Sequence, residues 1–249
     1  MLIPLGFILV ALAIWEIAVR ITEVSPRVLP APSQVARAGW QQREVIAGHA
    51  VATLQVTAVG FALSMLCAWV LAIASDFSLT LRKGLQPLLV ASQTVPVIAI
   101  APLMIIWFGF GIVPKMLVVS LVTFFPVAIG LIEAFDRTDR DATRLLRSMG
   151  ASRWQQFYMV RLPQAMPAFF TALRIGITYA VTGAIFAEYV GAKQGLGIYM
   201  SVQKNAFRTD LVLAAVAVTA ALSIALYLST YLLERAVIPW HIKERKAHG

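Results

Sequence analysis

Long apolar runs, separated by short polar segments, dominate the hydropathy pattern of this chain. About six runs approach or exceed the roughly 20 apolar residues that cross a bilayer as an α-helix. They predict membrane spans at residues 2–19, 48–74, 86–108, 115–135, 164–189 and 210–233. We therefore expect an all-α integral membrane protein, with residues 1–249 forming a single transmembrane domain.

Composition supports this interpretation and excludes other classes. Hydrophobic residues make up 59% of the chain and charged residues 13%, which leaves too few charges to cover a soluble surface. The net charge of +9 is spread among the spans without a contiguous basic patch, so we do not expect nucleic acid as a partner. Cys67 is the only cysteine and the histidines are dispersed, so we expect no disulfide, no metal site and no other cofactor.

The basic residues also predict the orientation in the membrane. Six arginines fall between residues 137 and 161, which favours the cytoplasm for this loop and for both termini. Arg20 lies just after the first span and, taken alone, predicts that the N-terminus is outside. We give the arginine cluster more weight because short loops near span ends carry the orientation signal. The C-terminal residues Lys243, Arg245 and Lys246 agree with it.

The loop at residues 136–163 has the pattern of two short helices joined by a hinge. Thr138, three residues before Asp141, predicts a capping box at the start of the first helix. Gly150 can adopt the left-handed conformation that ends a helix. Ser152, with a glutamine three residues later, repeats the capping box and predicts a second helix at once.

The third predicted span carries the features expected of a translocation path. Prolines at 87, 96 and 102 interrupt it, and Ser92-Gln93-Thr94 places three polar side chains in sequence. Non-helical backbone at membrane depth is tolerated where it lines a cavity or is buried in protein. A kinked structural helix with its polar groups bonded to neighbours is the alternative. The path residues we predict from this span and the next are Gln93, Thr94, Pro96 and Thr123.

Two charges lie in the fifth predicted span. Arg174 and Glu188 are fourteen residues apart, about 21 Å along a helix, so they cannot pair directly. At its depth Arg174 needs a partner, a snorkelling route or a water-filled cavity. Glu188 is followed by Gly191, Gly195 and Gly197, which predict a tight turn or a gate. We include both charged residues among the candidate path residues.

The hinged loop resembles the cytoplasmic coupling loop of ABC-importer permeases. Their pattern is Glu-Ala-Ala, three residues, Gly, nine residues, an aliphatic residue, any residue and Leu-Pro. The matching positions here are Gly150, Val160, Leu162 and Pro163. The opening triplet is replaced by Arg144-Leu145-Leu146, with Asp141 as the nearby acidic residue.

Further motifs extend the resemblance over most of the chain. They are Leu29-Pro-Ala-Pro-Ser33, Ala91-Ser-Gln-Thr-Val-Pro96, Ala187-Glu-Tyr-Val-Gly191 and Gly195-Leu-Gly197. Together they look like the branch whose solutes are sulfonates, taurine, nitrate or pyrimidine-type precursors. The resemblance thus implies a pyrimidine, thiamine-precursor or riboflavin-like solute, or a sulfonate, taurine or nitrate-like one.

The resemblance also implies an assembly and a mechanism. The fold would be the type I, MetI-like permease fold, in a homodimer within the bacterial inner membrane. Two cytoplasmic ATPase subunits and a periplasmic or lipid-anchored solute-binding protein would be its partners, and transport would proceed by alternating access. The chain lacks a Gly-x-x-x-x-Gly-Lys-Ser/Thr loop, so it would not be an enzyme and ATP hydrolysis would fall to the partner.

The ATPase-coupling surface implied by the family pattern lies within residues 136–163. Its members are Asp141, Arg144, Arg147, Gly150, Ala151, Ser152, Arg153, Trp154, Phe157, Leu162 and Pro163. Two other functions stay open. An ion-coupled secondary transporter would show paired intramembrane carboxylates or an inverted repeat, and neither is visible. A membrane scaffold would use the same loop to dock a soluble protein.

Overall fold

The computed structural model describes residues 2–239, apart from a few side chains near the N-terminus and at positions 97 and 98. Lys243, Arg245 and Lys246, which entered the orientation argument, lie outside the described residues. Every regular element between residues 2 and 239 is helical, so the all-α prediction is confirmed.

Eleven α-helices and one π-helical turn make up the described part of the chain. In chain order they are α1 Leu2–Thr22, α2 Pro32–Gln41, α3 Arg43–Phe77, α4 Leu79–Ser92, α5 Val97–Phe108, α6 Ile112–Asp136, α7 Arg140–Ser148, α8 Arg153–Gln156, the π turn Phe157–Arg161, α9 Leu162–Gly191, α10 Leu196–Asn205 and α11 Thr209–Val237.

Four helical runs in the described residues are long and apolar enough to cross a membrane. They are α3, α6, the continuous run Arg153–Gly191 and α11, and each contains one of the predicted spans. Each run also continues beyond its predicted ends, because the flanking polar residues of these spans still form helix.

The third predicted span, residues 86–108, is not one helix. Helix α4 ends at Ser92 and α5 begins at Val97. Pro96 explains the break, because it lacks an amide proton and forces the residue before it out of the helical conformation. The prediction that all three prolines interrupt this span is wrong, since Pro87 and Pro102 lie inside α4 and α5.

The short helix α2 begins at Pro32. Proline suits a first helical position, where no amide proton is needed. Ser33 does not cap this helix, because its amide and hydroxyl both donate to the Glu16 carboxylate, at 3.0 and 2.8 Å. Glu16 also pairs with Arg20 at 2.6 Å, so it ties the first turn of α2 to α1.

Contacts within the chain define two compact units. The first unit contains residues 1–55 and 185–222. Its core is formed by α2, the start of α3, α10 and the start of α11, and includes the buried residues Ala38, Ile46, Leu196, Tyr199, Met200, Leu211 and Ala215.

The second unit contains residues 56–184 and 223–249. Its core is rich in aromatic side chains at one end of the helices, where buried Phe135, Phe157 and Phe170 pack with Trp69 and Phe169. This cluster includes a residue of the hinged loop itself, because Phe157 belongs to the π turn of that loop. The loop is therefore anchored to a packed core.

Candidate functional site

The first helix of the hinged loop is capped by Asp139, and not by Thr138 as the sequence predicted. The Asp139 carboxylate accepts hydrogen bonds from the amides of Asp141 at 2.8 Å and Ala142 at 3.3 Å. The Thr138 hydroxyl instead donates to the carbonyl of Phe135, at 2.7 Å, in the last turn of α6. Thr138 is thus committed to the preceding helix, and Asp139 is the next residue able to cap α7.

The hinge and the second cap agree with the sequence prediction. Gly150 has φ of +85°, in the left-handed region that favours glycine. Ser152 and Gln155 form a reciprocal capping box, with the Ser152 hydroxyl accepting from the Gln155 amide at 3.3 Å and the Gln155 side chain accepting from the Ser152 amide at 2.7 Å. The change in chain direction at Gly150 is therefore fixed on both sides.

The second helix of the loop continues without a gap into the membrane. Helix α8 passes through the π turn Phe157–Arg161 into α9, and Pro163 lies in the first turn of α9. Proline cannot donate the hydrogen bond of a regular helix, and a π turn directly before it accommodates this local irregularity. A displacement of α8 can thus be transmitted along one continuous helical rod.

Aromatic residues anchor this rod on one side and leave two rings exposed. Phe157 is buried, with its ring centroid 5.8 Å from that of Phe77 and 5.5 Å from that of Phe135. Trp154 stacks on Tyr158 at 5.8 Å, and both rings are more than half exposed. The same helix turn therefore holds the loop to the core and presents an aromatic surface outward.

Two charged contacts fasten the loop to neighbouring helix ends. Arg161 pairs with Asp76 at the end of α3, at 2.7 Å, and donates to the Phe135 carbonyl at 3.0 Å. Arg82, near the start of α4, pairs with Asp136 at the end of α6. Burial and the neighbouring Arg161 lower the pKa of Arg82, which indicates a crowded cationic environment.

Gln93 and Thr94 lie in the break between α4 and α5. Both residues are exposed in the single chain, and Gln93 is the C-cap residue that follows α4. The Thr94 hydroxyl donates to the carbonyl of Ala91 at 2.7 Å. The Gln93 amide therefore remains on the surface of the chain, next to an irregular stretch of backbone.

Thr123 and Arg174 lie in the same compact unit but are packed differently. Thr123 is fully buried, and its hydroxyl donates to the Val119 carbonyl within α6 at 2.8 Å. Arg174 forms an ion pair with Glu234 of α11, and its guanidinium lies 4.1 Å from the ring centroid of Tyr231. Arg174 was expected to need a partner, a snorkelling route or a water-filled cavity, and the structure provides the partner, Glu234.

Glu188 belongs to the other compact unit, where it organises the turn after α9. Its buried carboxylate accepts from the Gly197 amide at 2.8 Å and from the Thr53 hydroxyl at 3.0 Å. The Thr53 oxygen in turn accepts from the Leu196 amide at 2.8 Å. Gly195 has φ of +132°, and a Cβ atom there would meet the Glu188 carboxyl carbon at 2.1 Å. Glycine at 195 is thus required by both backbone and packing.

Comparison with known proteins identifies the family. The model of "Binding-protein-dependent transport system inner membrane component" matches residues 53–240, which is most of the chain. The chain belongs to this family. It is a permease subunit of an ABC importer and a multi-pass membrane protein.

Several curated permeases are similar along nearly their whole length. The formylaminopyrimidine permease ThiX of Halalkalibacterium halodurans is 35% identical over 97% of this chain and 96% of its own. The riboflavin permease RibX of Chloroflexus aurantiacus is 34% identical over 94% of this chain and 88% of its own. The taurine permease TauC of Escherichia coli is 33% identical over 96% of this chain and 90% of its own.

Solved structures confirm the expected MetI-like fold of the permease. An amino acid ABC transporter superimposes with a TM-score of 0.66 at 16% identity, over 80% of this chain and 97% of its own. The MetNI methionine ABC transporter superimposes with a TM-score of 0.62 at 18% identity, over 81% and 98%. At these identities the likeness establishes the fold alone.

The predicted coupling residues of the permease differ in exposure. Phe157 is buried, and Ala151, Leu162 and Pro163 are partly buried. The exposed members are Asp141, Arg144, Arg147, Gly150, Ser152, Arg153 and Trp154. Their coupling role stays a prediction, and the structure separates those able to touch a partner from those that hold the loop in place.

Sequence reasoning missed an apolar patch on the loop. Leu145 and Met149 are 62% and 74% exposed, although both are large apolar residues. Their spacing of four residues on an otherwise polar helix would have identified the patch, because such residues share one face. They are exposed on the same loop as Trp154 and Tyr158.

A polar stripe on α9 was also missed. Thr171, Thr178 and Thr182 are exposed, and their spacing of seven and four residues places them on one helix face. Each hydroxyl donates to the carbonyl four residues earlier, which leaves its lone pairs available as acceptors. This spacing was visible in the sequence but was masked by the surrounding apolar residues.

We expect Gly195→Ala to destabilise the permease by about 1–3 kcal/mol, because it combines an unfavourable φ with a collision against Glu188. Gly48→Ala is the matched control, since a Cβ at Gly48 meets nothing within 4 Å. Thermal unfolding in detergent would measure both. Equal melting temperatures for the two variants would contradict the role assigned to the Glu188 turn.

Proposed function

We propose that this permease works as a homodimer in the bacterial inner membrane, with both termini in the cytoplasm, and imports a neutral nitrogen heterocycle by alternating access. Two cytoplasmic ATPase subunits would bind its hinged loops, and an external solute-binding protein, free or lipid-anchored, would deliver the solute. Residues 1–249 would act as one permease domain. The observation that carries the proposal is the exposed polar break in the third span.

The break supports a second copy and a wet path between the copies. Gln93 and Thr94 are exposed in the single chain between α4 and the apolar helix α5. A polar group facing lipid without a partner costs several kcal/mol, so these groups need a protein partner or water. The exposed threonines Thr171, Thr178 and Thr182 already donate within α9, and water would satisfy their remaining acceptor lone pairs better than lipid. Two copies facing each other would enclose these surfaces around a twofold axis.

The hinged loop supports the docking of an ATPase. It presents an apolar patch of Leu145, Met149, Trp154 and Tyr158, beside the exposed cations Arg147 and Arg153. Central apolar anchors with a charged rim are typical of specific protein interfaces. Because α8 continues into α9, a pull on this patch would act directly on a membrane-spanning helix.

Gly150→Val tests the docking proposal. A β-branched residue at φ of +85° costs about 1–3 kcal/mol and would turn α8 out of place. We expect at least a fivefold loss of ATPase co-purification with the full-length permease. The matched control is Gly109→Val, since Gly109 also has a positive φ, of +74°, but lies between α5 and α6.

The docking assignment would be abandoned if the Gly150→Val permease captured its ATPase and stimulated hydrolysis as well as the wild type. It would also be abandoned if Gly109→Val lost the ATPase to the same extent, because the effect would then reflect general instability of the permease.

Charge in the candidate path favours a neutral solute. The exposed polar side chains of the second unit named above are a glutamine and threonines, and the Arg174 charge is compensated by Glu234. The Gln93 amide can both donate to and accept from a heterocycle. A sulfonate would be better matched by an uncompensated cation. The permeases for formylaminopyrimidine and riboflavin, among the relatives, agree with this class of solute.

A sulfonate is the second candidate, because the taurine permease of Escherichia coli is 33% identical over 96% of this chain. Uptake into proteoliposomes that contain the permease, its ATPase and its binding protein would decide between them. We expect ATP-dependent accumulation of formylaminopyrimidine or riboflavin at least tenfold above taurine.

Faster uptake of taurine would overturn the heterocycle assignment. Uptake that needs no ATP but collapses with an ionophore would instead favour an ion-coupled transporter. Absence of uptake, with a soluble protein still bound to the loop, would favour a scaffold.

A further inference from the structure

Four arginines surround a cavity of about 250 Å³ beside the hinged loop. They are Arg82 of α4, Arg140 and Arg144 of α7, and Arg161 of the π turn, and the carboxylate in the lining is that of Asp136. All five residues belong to the second compact unit. Arg144 is also a candidate coupling residue, but Arg82, Arg140 and Arg161 are not, so the docking surface does not explain this concentration of guanidinium groups.

The carboxylates near this cavity do not neutralise it. Asp136 pairs with Arg82, Asp76 pairs with Arg161, and Asp141 pairs with Arg144 at 3.2 Å. Among the described residues no carboxylate forms an ion pair with Arg140. Burial and the charges of Arg161 and Arg140 lower the pKa of Arg82, while Asp76 raises it. The four guanidinium groups have three carboxylate partners, which leaves an excess of positive charge at Arg140. An anion in the cavity would relieve it.

The position of the cavity indicates where such an anion would come from. The membrane-crossing helix α3 ends at Phe77 and α6 ends at Asp136, so the lining residues lie at the ends of spans, where lipid headgroups are found. Helix α4 leads away from Arg82 with Leu81 and Leu88 exposed, seven residues apart on one face. An acyl chain could lie along that face while its phosphate reaches the arginines.

We propose that this cavity binds the phosphate of an anionic phospholipid headgroup. Guanidinium groups bind phosphate oxygens through paired, charge-assisted hydrogen bonds, and basic pockets between membrane helices are suited to anionic headgroups. A bound phosphate would bridge α4 to α7 through Arg82, Arg140 and Arg144. Anionic lipid would then set the position of the hinged loop. This role of the lipid does not depend on whether the loop binds an ATPase.

Native mass spectrometry of the full-length permease, titrated with phosphatidylglycerol or phosphatidylcholine, tests this proposal. The test variant is Arg140→Gln/Arg144→Gln. The matched control is Arg137→Gln, because Arg137 is 79% exposed, pairs with Glu133 and does not line the cavity. We expect wild type and control to retain phosphatidylglycerol at least tenfold better than phosphatidylcholine, and the double variant to lose this preference. Arg140→Lys, which keeps the charge without the planar fork, should retain part of it.

Three outcomes would overturn the proposal. The first is a double variant that is folded by circular dichroism and still prefers phosphatidylglycerol. The second is equal retention of both lipids by the wild type, which would leave the arginines for a partner's carboxylates. The third is displacement of phosphatidylglycerol by millimolar inorganic phosphate, which would show that free phosphate is the ligand.

Discussion

Backbone and side-chain polar groups within a bilayer must find partners in protein or water, and this requirement explains the most unusual part of the permease. Pro96 stops the third span from forming one continuous helix, so α4 and α5 are separated by a short irregular segment. Gln93 and Thr94 occupy that segment on the surface of the chain. The Thr94 hydroxyl donates to the Ala91 carbonyl, but a single copy in lipid would leave the Gln93 amide poorly satisfied, and the proposed dimer with a wet path follows from this constraint.

Elsewhere the permease satisfies the same requirement internally. Arg174 pairs with Glu234, and Glu188 accepts from the Gly197 amide after α9 and from the Thr53 hydroxyl of α3. At the end of the spans, Arg161 and Asp76 fasten the hinged loop. Removing one partner of a buried pair leaves an uncompensated charge, so these contacts fix helix positions strongly. The Gln93 side chain differs from them because it is exposed on the surface of the single chain.

Local features of the fold could be predicted from sequence, and long-range ones could not. Gly150 and Ser152 were identified because hinge and capping signals depend on neighbouring residues. The cap at Asp139 was misassigned to Thr138, since only the structure shows that the Thr138 hydroxyl bonds to α6. The pairing of Arg174 with a residue of α11 depends on helix packing, and no local pattern contains it.

Water accessibility at position 93 tests the central claim most directly. In a Cys67→Ala background, Gln93→Cys should react with a membrane-impermeant thiol reagent from one side, and the reactive side should change between resting and ATP-trapped states. Ile224→Cys is the control, because Ile224 is also exposed in the chain but is apolar and expected to face lipid. Complete protection of Cys introduced at 93 in both states, with transport intact, would contradict a wet path at the helix break.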